Sequence, residues 1–374
     1  MLLCAEGSAR AQQPGATDSV DLQLHGFVSQ GFLVTTDNNY LAESQQGSFE
    51  FAEVGFNVTS AVTDQLRVGI QLFARDLGPI GDYQAHVDWF YLDYRWKDWL
   101  GVRAGRVKLP FGLYNDVADI DAAHSVVLLP QSIYPASNRD FLLAQTGVEL
   151  YGYRDLGSSG ALDYRVYGGT IFLQVSDQPG RPYDIARLTV PYVAGARLMW
   201  EPRIEGLRVG GSVQALRLES DLLFDMAAAP IEVDVPAVLW VGSLEYTARD
   251  WMFAAEYSRW HTKLESSDPM LFPETKTVSE RGYALAAYRL TPIAQASLYY
   301  SLLYPDTEDR SGADAQQHDV AAAVRFDLNL NWLLKLEAHY MHGTAGLSNS
   351  LNSGPPDELA EDWAVFLAKT TAYF

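Results

Sequence analysis

The chain has 374 residues, a formal net charge of −20, and 48% hydrophobic and 12% aromatic residues. This acidity disfavours nucleic-acid binding, because contact with phosphates needs a basic surface. It suits acidic loops that face water or divalent cations, although solubility alone explains it equally well. No apolar run reaches the ~18 residues of a transmembrane helix, and the single cysteine, Cys4, excludes a disulfide framework or a thiolate metal cluster.

The N-terminal segment carries one processing signal. An Ala-Arg-Ala sequence at 9–11 matches the A-x-A pattern of a signal-peptide cleavage site. The apolar stretch before it, 2–5, is shorter than the core of a normal signal peptide. We therefore predict that 1–11 is the remnant of a truncated signal peptide and that 12–374 is a single domain. A chance match to the cleavage pattern is the alternative.

From residue 21 onward the dominant pattern is the alternation of apolar and polar residues. At 66–72, for example, Leu, Val, Ile and Leu alternate with Arg, Gly and Gln. A two-residue period is typical of β-strands with one apolar and one polar face. About sixteen such segments of roughly 10–15 residues follow one another. They begin near Asp21, Gly47, Asp64, Gln84, Asp98, Leu143, Gly160, Pro191, Glu205, Asp234, Asp250, Thr275, Pro292, Ala315, Asn331 and Glu361.

The connections between these segments alternate between short and long. Seven are short, such as Arg249-Asp250, and eight are long, such as 343–359. This alternation is typical of an up-and-down transmembrane barrel, whereas a soluble sandwich has no reason to show it. Aromatic residues such as Trp96 and Trp251 gather near the short turns, as in a membrane-interface girdle, although aromatics also favour strands in general. The sequence therefore predicts an all-β fold, a transmembrane antiparallel up-and-down β-barrel of about sixteen strands.

One connection, 110–141, is much longer than the others and shows neither a strand nor a helix period. Structureless segments of such length are usually functional. Its mixture of acids with the apolar run 126–129 suits a loop folded against an inner wall. We predict that it folds into the lumen and narrows a channel, with an ordinary surface loop as the alternative. The predicted constriction residues are Asp116, Asp119, Asp121, Arg139 and Asp140.

If the apolar residues of each strand face lipid, the polar residues that alternate with them line a lumen. Unpaired charges cannot remain in a dry core, but they can line water. Rows of unlike charge across a pore filter polar solutes, and arginines are dense on the strands that flank the long loop. Some of these arginines would instead form salt bridges that hold the loop to the wall. The predicted basic wall is Arg67, Arg75, Arg95, Arg103 and Lys108.

The sequence GRVKLPFGLYND at 105–116, the acid-rich loop after it and the terminal Phe374 together resemble Gram-negative outer-membrane porins. The nearest group is that of the phosphate- and pyrophosphate-selective porins, in which a Gly-Arg…Pro-Phe-Gly segment enters the constriction loop. The specific match is confined to 105–116, whereas the match in architecture covers most of the chain. The sequence has no lysine-rich stretch suited to a phosphate site, so phosphate selectivity does not carry over.

This resemblance implies a water-filled channel for passive diffusion of small polar or charged solutes across the outer membrane of a Gram-negative bacterium. It implies contact with outer-membrane lipid and lipopolysaccharide, no enzymatic activity, no cofactor and no metal. It also implies that Phe374, after an alternating last segment, is the signal read by the barrel-assembly machinery. A homotrimer is compatible with the resemblance, although the sequence shows no interface.

Two other classes of function stay open. A barrel enzyme, such as a lipase or protease, would need a Ser/His or Asp/His constellation. The seven histidines are scattered and no GxSxG motif occurs, but the partners of a triad need only meet in space. A soluble secreted β-protein would carry charges on both strand faces, which the apolar parity argues against.

Overall fold

The computed structural model describes residues 21–173, 183–224, 229–352 and 358–374, without the side chains of Asn138 and Asp140. Within these ranges, sixteen strands form one closed antiparallel barrel, which confirms the predicted fold. The signal-peptide prediction for 1–11 lies outside the described residues. The strands are β1 (Asp21–Thr35), β2 (Phe51–Ala61), β3 (Leu66–Leu77), β4 (His86–Lys97), β5 (Leu100–Lys108), β6 (Ala144–Asp155), β7 (Ala161–Ile171), β8 (Asp184–Glu201), β9 (Leu207–Leu223), β10 (Ile231–Ala248), β11 (Trp251–Ser266), β12 (Thr275–Thr291), β13 (Ala294–Tyr304), β14 (Gln317–Asn329), β15 (Trp332–Gly343) and β16 (Asp362–Tyr373).

The described helical elements are all short. None of them is long and apolar enough to cross a membrane. They are α1 (Arg139–Leu142) and single 3₁₀ turns at Asn115–Val117, Asp121–Ala123, Ala136–Asn138, Gly157–Ser159 and Ala313–Ala315.

The first and last strands close the barrel. β1 pairs with β16 from Phe27 opposite Tyr373 to Thr35 opposite Val365. Beyond this ladder, Gly26 and Phe374 exchange two backbone hydrogen bonds of 3.1 and 3.0 Å. Closure satisfies the backbone groups that an open sheet edge would expose to lipid. The last strand therefore pairs with the first, as closure of the predicted barrel requires.

One strand begins well before its predicted start. β8 starts at Asp184 rather than near Pro191, and its ladder to β9 is irregular between Thr189 and Tyr192. Proline has no N–H to donate, so within a sheet it is tolerated at bulges and edges. The proline that marked a boundary in the sequence therefore sits in a bulge inside a longer strand.

The outer surface of the barrel is apolar. On β13 the exposed side chains are Leu298 and Tyr300, whereas Ser297 and Tyr299 between them are buried in the interior. β15 shows the same alternation, since Leu336 is exposed while Lys335 and its neighbours of the same parity are buried. The inward parity therefore carries the charges and the outward parity carries the apolar surface.

The interior is half apolar, which the sequence analysis did not predict. Inward-facing residues of β7–β14 pack against the apolar residues of the 109–143 connection to form one buried cluster. In β10, for example, Leu239 and Val241 face inward while Val238 faces outward, so both parities are apolar. Buried charged side chains are more frequent on the other strands, for example Asp88 on β4, Lys335 on β15 and Lys369 on β16, but Arg197 on β8 and Glu256 on β11 also reach the loop from within the apolar sector. The interior is thus mainly apolar on one side and mainly charged on the other.

Candidate functional site: the inner loop and its cavities

The longest connection, Leu109–Leu143, folds inside the barrel and is called the inner loop here. Its first bend bonds to the far wall, because Gly112 N donates to Ser212 Oγ on β9 (3.1 Å) and Leu113 N donates to Glu256 on β11 (2.9 Å). The Tyr134 hydroxyl also donates to Glu256. Gly112 has a φ of +63°, and a Cβ there would come within 2.4 Å of the Tyr134 hydroxyl. Glycine is therefore required at this bend.

A second attachment holds the middle of the inner loop to β15. The Glu337 carboxylate accepts hydrogen bonds from the backbone N–H groups of Val127 (2.5 Å) and Leu128 (3.1 Å). His339 lies between Glu337 (2.8 Å) and Asp319 (2.9 Å), and all these side chains are buried. A carboxylate that accepts two backbone N–H groups fixes the path of the loop, because each buried N–H needs an acceptor.

The predicted constriction acids Asp116, Asp119 and Asp121 each form ion pairs. Asp116 pairs with Arg165 (2.8 Å) and Arg197 (3.3 Å). Asp119 pairs with Arg139 (2.8 Å) and Lys108 (3.0 Å). Burial raises the pKa of Asp119, but these two cations outweigh burial and hold that pKa well below its ordinary value.

Asp121 connects the inner loop to the last strands. It pairs with Lys369 (3.0 Å) and Lys335 (3.4 Å), and it accepts a hydrogen bond from Thr371 (2.6 Å). Burial raises the pKa of Asp121, yet Lys369 and Lys335 lower it to well below the ordinary value. Asp121 is therefore ionised at any physiological pH.

Arg139 bridges two carboxylates. Its guanidinium binds Asp88 on β4 through two nitrogens (3.0 and 3.1 Å) and Asp119 in the inner loop (2.8 Å). It also stacks on the Phe73 ring at 4.1 Å. These contacts attach the loop to the wall at its return to β6. The prediction for Asp140 concerns a side chain that lies outside the described part of the chain.

The predicted basic wall does not meet the loop acids as one row. Lys108 pairs with Asp119, and Arg75 donates to the carbonyl of Ala136 in the inner loop (3.2 Å). Arg103 pairs with Asp93 (2.9 Å) and Glu149 (3.0 Å) on its neighbouring strands. In the described ranges, neither Arg67 nor Arg95 forms an ion pair with a loop acid. Sequence reasoning missed these partners: Arg165, Arg197, Lys335 and Lys369 for the acids, and Glu256 and Glu337 for the backbone.

Two cavities lie on opposite sides of the inner loop. The larger, of about 530 Å³, lies toward the short-turn end and is lined by residues such as Asn57, Tyr91 and Arg103. The smaller, of about 90 Å³, lies between the loop and β2, β3 and β16, next to Phe51 and Lys369. Both cavities are lined by Asp119 and Asp121. Across the described residues, no group of three or more His, Cys, Asp or Glu side chains is arranged to hold a metal ion.

Acid is expected to loosen the inner loop through His124. Its Nε2 lies 3.3 Å from the Ala118 carbonyl, and its Nδ1 lies 3.0 Å from the Val126 carbonyl and 3.3 Å from Lys335 Nζ. Burial and Lys335 lower the pKa of His124 to about 3, whereas a released, solvated ring titrates near 6.5. Between these two values His124 takes up a proton only when the loop is released. The free energy that favours the bound loop therefore falls by about 1.4 kcal/mol per pH unit as pH drops from about 6.5 toward 3.

This pH effect is measured as the protection factors of the inner-loop amides against hydrogen exchange between pH 8 and pH 4. Protection should fall as pH drops below about 6, and His124→Gln should remove that fall. Asp119 and Asp121 cannot supply it, because the stabilisation from a depressed carboxyl pKa is lost only below about pH 4. An unchanged profile in His124→Gln would contradict the assignment.

A closed antiparallel barrel of sixteen strands, crossed by a long connection, is the architecture of outer-membrane barrels. The chain is similar to OmpT expressed in the outer membrane of Vibrio cholerae (TM-score 0.62, 12% identity, 97% of this chain and 100% of that chain). It is also similar to the anion-selective porin of Comamonas acidovorans (TM-score 0.60, 11% identity, 95% and 100%) and to OmpF of Salmonella typhi in complex with daunomycin (TM-score 0.54, 13% identity, 94% and 97%). At these identities the similarity shows a shared fold. The sequence matches no family model and no curated protein.

Proposed function

We propose that this protein is an outer-membrane porin of a Gram-negative bacterium, a channel for passive diffusion of small polar or charged solutes. The observation that carries the proposal is that Asp119 and Asp121 line the cavities on both sides of the inner loop. A solute that crosses the barrel would pass these two carboxylates. The inner loop would thus narrow the channel at its polar side, while the apolar half of the interior stays closed to water. Phosphate selectivity is not part of the proposal.

The test is a planar-bilayer recording of the refolded barrel in a KCl gradient. Stepwise conductance supports a porin, and a folded barrel that conducts nothing would overturn the proposal. The barrel-enzyme alternative is tested on the same preparation with fluorogenic lipid and peptide substrates. Turnover of either substrate without conductance would favour the enzyme.

Ion selectivity is expected to follow the charges along the larger cavity. Asp116→Asn should shift the reversal potential toward anions and Arg103→Gln should shift it toward cations. Charges in a narrow passage act through a lower dielectric than bulk water, so each permeability ratio should change by roughly threefold or more. Glu274→Gln, on an exposed outer loop, is the matched control and should have little effect because salt screens it. If all three variants shift the reversal potential by the same small amount, the charges along the larger cavity do not determine ion selectivity.

Two further parts of the proposal concern assembly. We propose that Phe374, whose side chain is exposed at the end of β16, is the signal bound by the barrel-assembly machinery. We also propose a homotrimer, since one similar structure of Vibrio cholerae OmpT is described as a trimer form. Cross-linking in detergent measures the oligomeric state, and a monomer alone would contradict the trimer.

A further inference from the structure

A β-bulge in β4 places an aromatic platform inside the larger cavity. The ladder between β3 and β4 shifts where Gln71 pairs with Trp89 and Leu72 pairs with Val87, which leaves Asp88 as the extra residue. A bulge lets two successive side chains point to the same face. Asp88 therefore binds Arg139, while Trp89 lines the cavity and stacks on Tyr91 with a centroid distance of 5.3 Å and an interplanar angle of 16°. Arg103 lies over the Tyr91 ring at 5.2 Å, so the partly exposed Trp89 is the ring that a ligand in the cavity can reach.

The same cavity is charge-balanced. Its lining includes three basic side chains, Arg103, Lys108 and Arg165, and the three acids of the inner loop. Each of the basic side chains is already paired with a carboxylate at 3.0 Å or less. A charged solute would have to displace a partner and leave an uncompensated charge, which is costly in a partly buried site. The cavity therefore favours a neutral polar solute over an ion.

The cavity also offers amide groups beside the aromatic pair. The side chains of Asn57 and Gln71 line the same space, and Gln71 Nε2 donates to Asp88 Oδ2 (3.0 Å). A side-chain amide binds hydroxyls both as donor and as acceptor without a change of charge. The volume of about 530 Å³ lies within the range of small-molecule sites.

We propose that this cavity is a binding subsite for a neutral carbohydrate of one to two sugar rings. The apolar C–H face of a sugar ring packs on the Trp89 ring, and the ring hydroxyls bind the amides of Asn57 and Gln71. This inference rests on the proposed function, because it names the class of solute that the channel would carry. Binding itself does not require flow, so it is measured separately.

The experiment records conductance in KCl while maltose is added, with a polyethylene glycol of similar size as the non-binding reference. Maltose should reduce the current with a saturable dependence on concentration, whereas the polymer should reduce it linearly. Trp89→Leu should raise the half-saturating maltose concentration about tenfold, equal to about 1.4 kcal/mol. Trp96→Leu, on the same strand but exposed on the outer surface, is the matched control and should leave it unchanged.

Three results would overturn the subsite. The first is that maltose reduces the current no more than the polymer does, and the second is that Trp89→Leu has the same half-saturating maltose concentration as the wild type. The third is that benzoate, a charged solute, reduces the current saturably while maltose does not. If the folded barrel conducts no ions, calorimetric titration with maltose in detergent replaces the recording. If maltose binds to a barrel that conducts no ions, the subsite proposal stands and only the porin proposal is overturned. If maltose does not bind either, both proposals are overturned.

Discussion

Replacing Arg139 by methionine is expected to release the inner loop and, if the barrel is the proposed channel, to raise its conductance. The guanidinium joins Asp88 on the wall to Asp119 in the loop, and neither carboxylate is exposed. Removing one partner of a buried ion pair typically costs about 3–5 kcal/mol, because the remaining charges are left uncompensated. Asp88 and Asp119 would then repel each other across the gap. The measurement is single-channel conductance, together with hydrogen exchange of the amides in 109–143.

Two variants separate loop release from general damage. Adding Asp119→Asn to Arg139→Met removes one uncompensated charge and should restore part of the wild-type conductance. Arg203→Met, which removes an exposed arginine bonded only to the Gly157 carbonyl in the described ranges, should change neither observable. Wild-type conductance and exchange in folded Arg139→Met would show that Arg139 does not hold the loop.

A second large effect is expected from placing arginine on the lipid-facing surface. Phe56 lies in the middle of β2 and is 39% exposed on the outside, whereas Asn57 beside it lines the larger cavity. Arginine at the membrane midplane costs about 2–4 kcal/mol in a transmembrane barrel. Phe56→Arg should therefore lower the free energy of unfolding in lipid vesicles by that amount. Asn57→Arg, which ends in water, should lower it far less.

The comparison between Phe56→Arg and Asn57→Arg tests whether the outer surface of the barrel contacts lipid and the inner surface contacts water. It is measured by urea titration of the vesicle-bound barrel, with tryptophan fluorescence as the probe. If the two substitutions destabilise equally, the outer surface does not contact lipid and a soluble β-protein becomes the better reading. Phe56→Leu keeps the surface apolar and serves as the control for loss of the aromatic ring.

The fold was predictable because its signals are local and repeated. Alternation within each segment and the alternation of short and long connections are both visible without knowing any contact. The apolar half of the interior was also readable, since Ala237, Leu239 and Val241 share β10 with the outward Val238 and Trp240. A strand with two apolar faces does not border water on either side.

The partners of the loop acids were not predictable. Which cation meets Asp121 depends on the path of the loop and on the stagger of the closed barrel, and neither is encoded in a local pattern. The acids were found from composition, but Lys335 and Lys369 follow Asp121 by more than two hundred residues. The bulge in β4 was equally hidden, because HVDWFY reads as an ordinary strand.

The contacts of Asp121 also bear on the order of assembly. Its partners Lys335 and Thr371 are separated from it by 214 and 250 positions in the chain. Contacts of such sequence separation form late and slowly, since a long loop must close before they stabilise anything. The contacts of Asp121 are therefore complete only after all eleven strands that follow the inner loop, β6–β16, have been synthesised. A barrel that has not yet formed β15 and β16 is thus also a barrel in which Asp121 lacks both of its cations.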